Sequence, residues 1–302
     1  MAKLSLIIAT YNRSEQLLAA LESLTRQSAS VGSWECIVVD NNSADDTRIL
    51  AERFMSAHPE LDIRTVTESR QGLSHARNRG IEESRGDYIA IIDDDEYVNS
   101  DFIRSYIEFF DSHSEYAAAG GRVIPEYPAS GRPDFVSPYI ERPLANPVDF
   151  GGSCIEFPRH RIPAGGNMAF RRDTLLAYGG FNTALGRSGQ KLTGGEESYL
   201  FERMRADGMR FGYVHNAVIW HIIPSGKLTA DYLKRLAFGI GASKYRRAAL
   251  HGKTASLYMG EAVRWAATLL LALWYAATLR PKRGRYLIMM RSHITRGIIK
   301  KE

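Results

Sequence analysis

Apolar and polar positions alternate along the first hundred residues in the pattern of a parallel sheet covered by helices. Four apolar runs predict buried strands, and the segments between them place apolar residues at helical spacing. The predicted strands are residues 4–9, 35–39, 63–67 and 88–92, and the predicted helices are residues 14–27, 45–57 and 73–84. Strands that alternate with helices indicate βαβ units with right-handed crossovers. The pattern therefore predicts an α/β fold with a mostly parallel sheet.

The pattern of the second half is weaker, because residues 120–165 are rich in Gly and Pro. Further strands and helices are nevertheless indicated by short apolar runs and by helical spacing. We predict strands at 117–124, 167–170 and 211–219, helices at 172–178 and 196–207, a loop over 127–163, and helical structure from residue 229 onward.

One uncharged stretch of fifteen residues, 265–279, stands out in the helical C-terminal region. As a helix it would be about 22 Å long, which is shorter than the roughly 30 Å hydrocarbon core of a bilayer. Trp265, Trp274 and Tyr275, followed by Arg and Lys, suit a helix that lies in the membrane interface. The alternative is a buried amphipathic helix that packs on the protein or on a partner chain.

The formal net charge of +5 is concentrated near the end of the chain. Residues 280–302 contain eight Lys or Arg and one acid, whereas residues 1–279 contain 31 basic and 33 acidic residues. The body therefore lacks the basic face of a nucleic-acid-binding protein, and the tail suits an anionic membrane surface. Two cysteines, Cys36 and Cys154, are too few for a disulfide framework and indicate a reducing compartment. The first residues are typical of a strand and not of a signal peptide.

Four consecutive acids, Asp93-Asp94-Asp95-Glu96, directly follow the predicted strand at 88–92. Carboxylates this close repel one another unless a positive group neutralises them. Mg²⁺ or Mn²⁺ does so, typically through one or two carboxylates together with substrate phosphates. A solvated acidic turn is the alternative. The position at the carboxyl end of a strand, where ligands bind in open α/β sheets, favours the metal site.

Polar side chains also follow the first two predicted strands. Thr10 and Tyr11 follow the first, and Asp40 ends the second. They can form the sides of a base pocket in which Asp40 accepts a uracil or guanine N–H and Tyr11 stacks on the ring; helix capping is the alternative for the threonine. Arg77, on the third predicted helix, can pair with a phosphate or with Asp93.

Two adjacent carboxylates, Glu196 and Glu197, follow Gly194 and Gly195 at the start of a predicted helix. One of them can act as a general base if it points into a cleft. Both would also serve as favourable charges in the first helical turn. The local sequence alone favours this second role.

In their order along the chain, these motifs resemble the inverting glycosyltransferases of family two, which have the GT-A fold. The resemblance extends over roughly residues 4–245. It rests on segments 5–13, 38–43, 72–78, 93–96, 165–172, 195–197 and 220–221. Each segment is a weak signal alone, but the whole series at these spacings is specific. The implied architecture is a Rossmann-like, mostly parallel sheet flanked by helices, with a helical, membrane-associating C-terminal appendage.

The resemblance implies a role for each matching residue. Eight would bind the nucleotide sugar: Thr10, Tyr11 and Asp40 at the base, Arg77 at the uridine or its phosphates, Asp93 and Asp94 at the ribose and metal shell, and Gly166 and Asn167 beside the donor sugar. Asp95 would ligate Mn²⁺ or Mg²⁺, and so would His221, for which a packed core histidine beside Trp220 is the alternative. Glu197 would be the catalytic base, at a position where the family usually has an aspartate, and Glu196 stays an alternative.

The implied reaction is a single displacement that inverts the anomeric carbon. Glu197 would deprotonate an acceptor hydroxyl, which attacks opposite the leaving nucleoside diphosphate. We expect a UDP-sugar donor and a glycan acceptor on a lipid carrier, as in bacterial surface-polysaccharide assembly. The protein would be cytoplasmic, peripheral or monotopic on the inner face of the cell membrane, without a nucleic-acid partner; a homo-oligomer is left open.

These expectations divide the chain into a catalytic domain, 1–228, and a helical C-terminal region, 229–302. The first would contain a nucleotide-binding half (1–100) and an acceptor-binding half (101–228), and the second an interfacial helix at 261–280 and the basic tail. A sugar nucleotidyltransferase is a competing hypothesis. Such an enzyme needs a glycine-rich basic loop after the first strand, and residues 9–13 do not form a glycine-rich segment. A non-catalytic protein that binds a nucleotide sugar or polysaccharide would not need Asp95 and Glu197.

Overall fold

A computed structural model describes residues 2–153, 155–189 and 192–300 of the chain. It divides into two compact units. The sheet unit comprises Met1–Ile124, Pro147–Thr183 and Glu196–Ile222, and the helical unit comprises Pro125–Asn146, Ala184–Gly195 and Ile223–Glu302. Cys36 is a buried free thiol, whereas Cys154 lies outside the described residues.

Eight strands form one mixed sheet. They are β1 (Leu4–Thr10), β2 (Trp34–Asp40), β3 (Ile63–Thr67), β4 (Tyr88–Asp93), β5 (Glu96–Val98), β6 (Tyr116–Glu126), β7 (Met168–Arg171) and β8 (Arg210–Ile222). Their order is β3-β2-β1-β4-β7-β6-β8-β5. Strands β1 to β4 pair in parallel, while β7 runs antiparallel to β4 and β6, and β5 antiparallel to β8. The predicted α/β fold is confirmed, but the sheet is mixed and not mostly parallel.

Helices cover the sheet and build the helical unit. Within the described residues they are α1 (Ser14–Leu24), α2 (Thr47–Ala57), α3 (Leu73–Glu83), α4 (Phe102–Ser112), α5 (Pro138–Ala145), α6 (Arg172–Ala177), α7 (Glu196–Ala206), α8 (Ala230–Leu250), α9 (Thr254–Ala277) and α10 (Pro281–Lys300). Every residue of β1 and β2 is buried, as expected for strands covered on both faces. Gly80 brings α3 close to β1, because a Cβ atom there would lie 2.5 Å from Ile7 Cγ2.

Two elements differ from the sequence prediction. Strand β5 has only three residues and begins with an acid, so no apolar run marks it. Helix α5 lies inside the predicted loop 127–163. It contains Pro143 in its interior and Pro138 at its start. Because proline is disfavoured within helices and tolerated only in their first turn, the pattern of this segment does not predict a helix.

The helical unit has its own apolar core, in which α10 packs on α8. A Cβ atom at Gly297 would overlap the carbonyl of Phe238, and one at Gly241 would overlap that of Ile294, so the two helix backbones touch. The side chains of this core include Leu233, Leu236, Ala237, Met290, Ile294 and Ile298. This interface holds the C-terminal basic segment as an ordered helix.

Helix α9 exposes several large apolar side chains and buries two polar ones. The residues that it buries are Glu261, Thr268 and Tyr275, which are seven positions apart and so lie on one face. Its large apolar side chains are exposed, and we call these residues the outer face of α9: Met259, Val263, Leu270, Leu273 and Trp274, each 53% to 70% exposed. Across the described residues, no helix combines the length and the apolar character that a membrane crossing requires.

Candidate active site

The polar residues that follow β1, β2 and β4 meet at one edge of the sheet, because these three strands are parallel neighbours. Thr10 pairs in register with Asp40, and Ala9 with Asp93. The buried Thr10 hydroxyl donates a hydrogen bond of 2.9 Å to Asp94 Oδ2. The acidic run therefore lies beside the first turn at the carboxyl edge of the sheet, where ligands bind in this fold class.

Arg13 is the internal counter-ion of the acidic run. Its Nη1 atom donates to Asp94 Oδ1 at 2.8 Å and to Asp95 Oδ2 at 3.1 Å. Burial raises the pKa of Asp94 to about 6, with the charge of Asp95 adding to the shift and the Arg13 guanidinium opposing it. Arg13 lies in the sequence segment 5–13 but has no predicted role there. It follows β1 by three residues, and β1 is the neighbour of β4, which ends at the acids; this placement was the available signal.

Glu96 is buried behind the run and packs against a glycine. Its Oε2 atom accepts a hydrogen bond of 3.0 Å from the backbone N of Asp93. Burial, together with the charges of Asp93 and Asp95, raises the pKa of Glu96 well above its usual range. A Cβ atom at Gly166 would overlap the Glu96 carboxyl group. The absence of a side chain at Gly166 is therefore a packing requirement of this corner of the site.

Asn167 is fully buried and uses its amide within the fold. Its Oδ1 accepts from the hydroxyl of Tyr106 at 2.5 Å, and its Nδ2 donates to the carbonyls of Arg122 and Ala217 at 3.0 Å each. The side chain thus joins α4, β6 and β8. It fixes the backbone beside Gly166 by these contacts.

Arg77 links the acidic run to the glutamate pair. It is 2% exposed, and its Nη2 donates to Asp93 Oδ1 at 2.8 Å and to the Gly165 carbonyl at 3.1 Å, while its Nη1 donates to Glu196 Oε1 at 3.0 Å. The guanidinium also lies 5.5 Å from the centre of the Phe181 ring. Of its two predicted partners, a phosphate or Asp93, the structure shows Asp93.

The two glutamates at the start of α7 have different surroundings. Glu196 is buried, and both burial and the Glu197 charge raise the pKa of Glu196 to about 8, against the effect of Arg77. Glu197 is only partly buried, and its Oε1 would lie 3.2 Å from a Cβ atom at Gly165. Its Oε2 is shielded from solvent and has no hydrogen-bond partner among the described residues. An oxygen of this kind can accept a proton from an incoming hydroxyl.

The turns after β1 and β2 are bonded to each other. The backbone N of Asn12 donates to Ser43 Oγ at 3.0 Å, and the backbone N of Ala44 donates to Asn12 Oδ1 at 2.7 Å. Asp40 Oδ1 accepts from the backbone N of Ser43 at 3.0 Å. Tyr11 stands at this rim with 37% of its surface exposed. The predicted base-binding residues therefore share one connected pair of turns.

Asp95 and His221 are the predicted ligands of a divalent cation, and the structure brings them close together. Pairing of β5 with β8 sets Glu96 opposite His221, and His221 Nε2 lies 3.9 Å from Asp95 Oδ2. One cation with ligand bonds of about 2.1 Å can bridge such a pair. No cluster of three or more His, Cys, Asp or Glu side chains in ligand geometry occurs in the part of the chain that the structure describes. Mg²⁺ usually binds through only one or two carboxylates together with substrate phosphates, so a small set of protein ligands is enough for such an ion.

Comparison with known proteins identifies the family. Residues 5–179 match the model of Glycosyl transferase family 2. The chain belongs to glycosyltransferase family 2. Among curated relatives of this glycosyltransferase, the glucosyl-dolichyl phosphate glucuronosyltransferase of Haloferax volcanii is 27% identical over 80% of this chain and 76% of its own length. The chondroitin synthase of Escherichia coli is 28% identical over 74% of this chain but only 35% of its own length.

Solved structures of other glycosyltransferases share the fold. The mannosyltransferase PcManGT from Pyrobaculum calidifontis, in complex with GDP-Man and Mn²⁺, has a TM-score of 0.64 at 18% identity and covers 99% of this chain and 88% of its own. Residues 1–349 of S. aureus TarS, in complex with UDP-GlcNAc, have a TM-score of 0.58 at 14% identity, with coverages of 96% and 91%. The predicted family and GT-A-like fold are confirmed, whereas the roles of the individual site residues stay predictions.

Proposed function

We propose that this family 2 glycosyltransferase moves a sugar from a nucleoside diphosphate sugar, preferably a UDP-sugar, to a hydroxyl of a glycan on a lipid carrier. The observation that carries the proposal is the buried Arg77, which holds Asp93 of the acidic run and Glu196 of the glutamate pair on one guanidinium. It joins the donor side of the site to the acceptor side. TarS binds UDP-GlcNAc, and the Haloferax relative is named for a lipid-linked sugar phosphate.

The donor would occupy the carboxyl edge of the sheet. Tyr11 and Asp40 would hold the base between the two connected turns, and Asp93 and Asp94 would face the ribose and the metal shell. Asp95 and His221 would hold Mn²⁺ or Mg²⁺, which offsets the negative charge that builds on the departing diphosphate. PcManGT was solved with Mn²⁺, which supports a divalent ion at this edge.

Glu197 is our candidate for the catalytic base. Its buried Oε2 lacks a partner among the described residues and can accept the proton of an acceptor hydroxyl. Within the described part of the chain, the Oε2 atom of Glu196 lacks a partner as well. Glu196 is less suited nevertheless, because Arg77 holds its Oε1 at 3.0 Å and burial raises its pKa to about 8, so that its carboxyl group retains a proton at neutral pH. With Glu197 as the base, the chemistry would be a single displacement with inversion at the anomeric carbon.

We further propose that the protein works at the inner face of the cell membrane, in the assembly of a bacterial surface polysaccharide. The apolar side chains on the outer face of α9 are 53% to 70% exposed among the described residues. Arg280, Lys282 and Arg285 are exposed just after this helix. Each cation near an anionic surface contributes about 1 kcal/mol of attraction. An amphipathic helix with flanking cations suits a peripheral or monotopic protein.

A screen of nucleotide sugars tests the donor assignment. Thermal shift and donor hydrolysis would be measured for UDP- and GDP-sugars with and without Mn²⁺, and one nucleotide sugar should stabilise the protein only when the metal is present. Formation of a nucleotide sugar from a nucleoside triphosphate and a sugar phosphate would instead identify a nucleotidyltransferase. Binding of a nucleotide sugar with no turnover, given any glycan acceptor, would identify a non-catalytic module.

A further inference from the structure

The backbone of Arg13 is fixed, whereas its side chain is partly exposed. Its backbone N donates to Thr47 Oγ1 at 3.1 Å, and its carbonyl accepts from the backbone N of Leu17 in α1 at 3.0 Å. Thr47 is itself fully buried at the start of α2. The Arg13 side chain is 36% exposed. Its guanidinium can therefore exchange partners by rotation about side-chain bonds, without movement of the turn that follows β1.

One nitrogen of Arg13 bridges two carboxylates of the acidic run. Nη1 donates to Asp94 Oδ1 at 2.8 Å and to Asp95 Oδ2 at 3.1 Å. Asp94 has a further partner on its other oxygen, the Thr10 hydroxyl at 2.9 Å. Asp95 Oδ2 is also the oxygen that lies 3.9 Å from His221 Nε2. Arg13 therefore occupies the same carboxylate oxygen that the proposed cation would bind.

A divalent cation at Asp95 Oδ2 would lie close to the guanidinium of Arg13. With a ligand bond of about 2.1 Å, the cation would be no farther than about 5 Å from Nη1, because that nitrogen is 3.1 Å from the same oxygen. Like charges at such a distance repel each other, and more strongly where burial limits screening by water. Asp94 and Asp95 are only 5% and 6% exposed. Arg13 and the cation are therefore alternatives at this oxygen.

A nucleoside diphosphate would give the displaced guanidinium a new partner. Guanidinium groups bind phosphate through two parallel hydrogen bonds. Arg13 follows β1 by three residues, so its side chain starts from the edge of the sheet at which the donor is proposed to bind. Exchange of two carboxylates for a phosphate preserves the charge pairing of Arg13. The cation would then replace Arg13 as the counter-ion of the two aspartates.

We infer that Arg13 couples metal binding to binding of the donor diphosphate, an inference that rests on the proposed function and concerns the order of events at that site. Without a donor, Arg13 holds Asp94 and Asp95 and lowers their affinity for a divalent cation. When a diphosphate binds, Arg13 moves to the phosphate and releases Asp95 to the cation. Each ligand raises the affinity of the other by the same factor, as linkage requires. A permanent ion pair that only stabilises the carboxylates is the competing account.

Titration calorimetry with Mn²⁺ on the full chain, without nucleotide, tests the competition. Arg13→Met should bind Mn²⁺ about tenfold more tightly than the wild type, because one charged hydrogen bond no longer has to be broken. Arg13→Lys retains a cation and should stay close to the wild type. Unchanged or weaker Mn²⁺ binding by Arg13→Met, or equally tight binding by Arg13→Lys, would overturn the inference.

Arg104→Met is the matched control for these titrations. Arg104 lies on α4, its side chain is 47% exposed, and its Nη2 pairs with Asp101 Oδ1 at 2.7 Å. The substitution therefore removes an arginine from an aspartate outside the acidic run. It should leave the Mn²⁺ affinity unchanged, and a gain equal to that of Arg13→Met would show an effect of net charge alone and overturn the inference.

Thermal unfolding separates the inference from a purely structural role. Arg13→Met removes this counter-ion from Asp94 and Asp95, so its melting temperature without metal should fall. Since the cation can replace the lost charge, a fixed concentration of Mn²⁺ should raise the melting temperature more in Arg13→Met than in the wild type. A permanent ion pair predicts a loss of stability that Mn²⁺ does not restore.

The coupling to the diphosphate is measured by repeating the Mn²⁺ titration with UDP or with uridine. In the wild type, UDP should raise the Mn²⁺ affinity, and uridine, which has no phosphate, should not. In Arg13→Met the gain from UDP should be about tenfold smaller, because no guanidinium has to be displaced from Asp95. An equal gain from UDP in both proteins, or an equal gain from uridine and UDP, would overturn the coupling.

Failure of this inference is distinguishable from failure of the proposed function. If the wild type binds Mn²⁺ with UDP and Arg13→Met behaves identically, only the role of Arg13 is removed. If neither protein binds Mn²⁺, with UDP or without it, the proposed metal site and this inference fall together. The expected Mn²⁺ titrations in a protein that turns over no nucleotide sugar would support the role of Arg13 and remove only the proposed sugar transfer.

Discussion

Nη1 of Arg77 donates a hydrogen bond of 3.0 Å to Oε1 of Glu196 across a sequence separation of 119 residues, with both side chains buried. The bond connects α3, which packs on β1, with the first residue of α7. A buried ion pair seldom adds net stability over an apolar pair, but removal of one partner leaves an uncompensated charge. The orientation of the glutamate pair therefore depends on a residue of α3.

Replacement of Arg77 should destabilise the protein strongly. In Arg77→Met, the buried Oε1 of Glu196 loses its hydrogen-bond donor and the partly buried Asp93 carboxylate loses its cation, and the free energy of unfolding should fall by about 3 kcal/mol. Urea denaturation followed by circular dichroism measures this change. Arg79→Met on the same helix is the control, because Arg79 and Glu83 form an exposed pair that contributes about 1 kcal/mol or less. Equal effects of the two substitutions would contradict the buried role of Arg77.

Stability should depend on pH through Glu196. Since its pKa rises from the usual 4.5 to about 8 in the folded protein, the folded state retains a proton that the unfolded chain releases. The free energy of unfolding should therefore fall as the pH rises through this window, by at most about 1.4 kcal/mol per pH unit. Between pH 6 and 8, above the shifted pKa of Asp94, Glu196→Gln should show a flatter dependence than the wild type. Parallel curves would disprove the shift.

Glu197→Gln should abolish sugar transfer and leave donor binding unchanged. A general base contributes about 10²- to 10⁴-fold to the rate, and the amide keeps the shape of the side chain without its basicity. Transfer is measured as release of nucleoside diphosphate with acceptor present, and donor binding by calorimetry. Glu202→Gln, exposed on the same helix, is the control and should retain full activity. If Glu197→Gln were active and Glu196→Gln inactive, the two roles would be exchanged.

Removal of a proposed metal ligand should reduce metal affinity directly. In the presence of UDP, Asp95→Asn and His221→Ala should weaken Mn²⁺ binding by more than the roughly 10- to 100-fold that loss of an outer-shell partner costs. Calorimetric titration with Mn²⁺ gives the value. His58→Gln, at the end of α2, is a histidine control away from the acidic run. If His221→Ala bound Mn²⁺ with unaltered affinity, His221 would not be a metal ligand, and only Asp95 of the two would remain a candidate.

The outer face of α9 should determine membrane binding. Replacing Met259, Val263, Leu270 and Leu273 by serine removes exposed apolar surface, and each such side chain contributes about 1.5–3 kcal/mol when buried in an apolar phase. The variant should no longer sediment with vesicles of phosphatidylglycerol and phosphatidylcholine, while its thermal stability is retained. Val31→Ser, a 75% exposed valine of the sheet unit, should sediment like the wild type. Sedimentation of the serine variant at the wild-type level would refute the interfacial role.

The sequence predicted the parallel half of the sheet well, because strands buried on both faces form uninterrupted apolar runs. It predicted α9 poorly for the opposite reason. The uncharged run at 265–279 contains residues of both sides of that helix: Leu270, Leu273 and Trp274 are exposed, whereas Thr268 and Tyr275 are buried. The third buried residue, Glu261, precedes the run. Hydropathy therefore gave neither the start of the helix at Thr254 nor the side that packs.

In the candidate site, too, the sequence predicted some features and not others. The acidic run and the glutamate pair were visible as local motifs. The partner of Asp94, Arg13, lies 81 residues earlier in the chain, and only the neighbouring positions of β1 and β4 in the sheet bring the two together. The burial of Glu96 likewise follows from its pairing with β8, a contact between distant segments that periodicity does not encode.

The bonds between Asn12 and the turn at Ser43 and Ala44 affect the energetics of donor recognition. Asn12 adopts a positive φ of 52°, a conformation that asparagine tolerates better than most residues, and the two turns hold each other before any nucleotide arrives. Ordering a loop residue on binding costs about 1–2 kcal/mol of backbone entropy. Little of this cost should arise here, so a nucleotide would enter a preorganised cradle, and its affinity would be limited by desolvation more than by chain ordering.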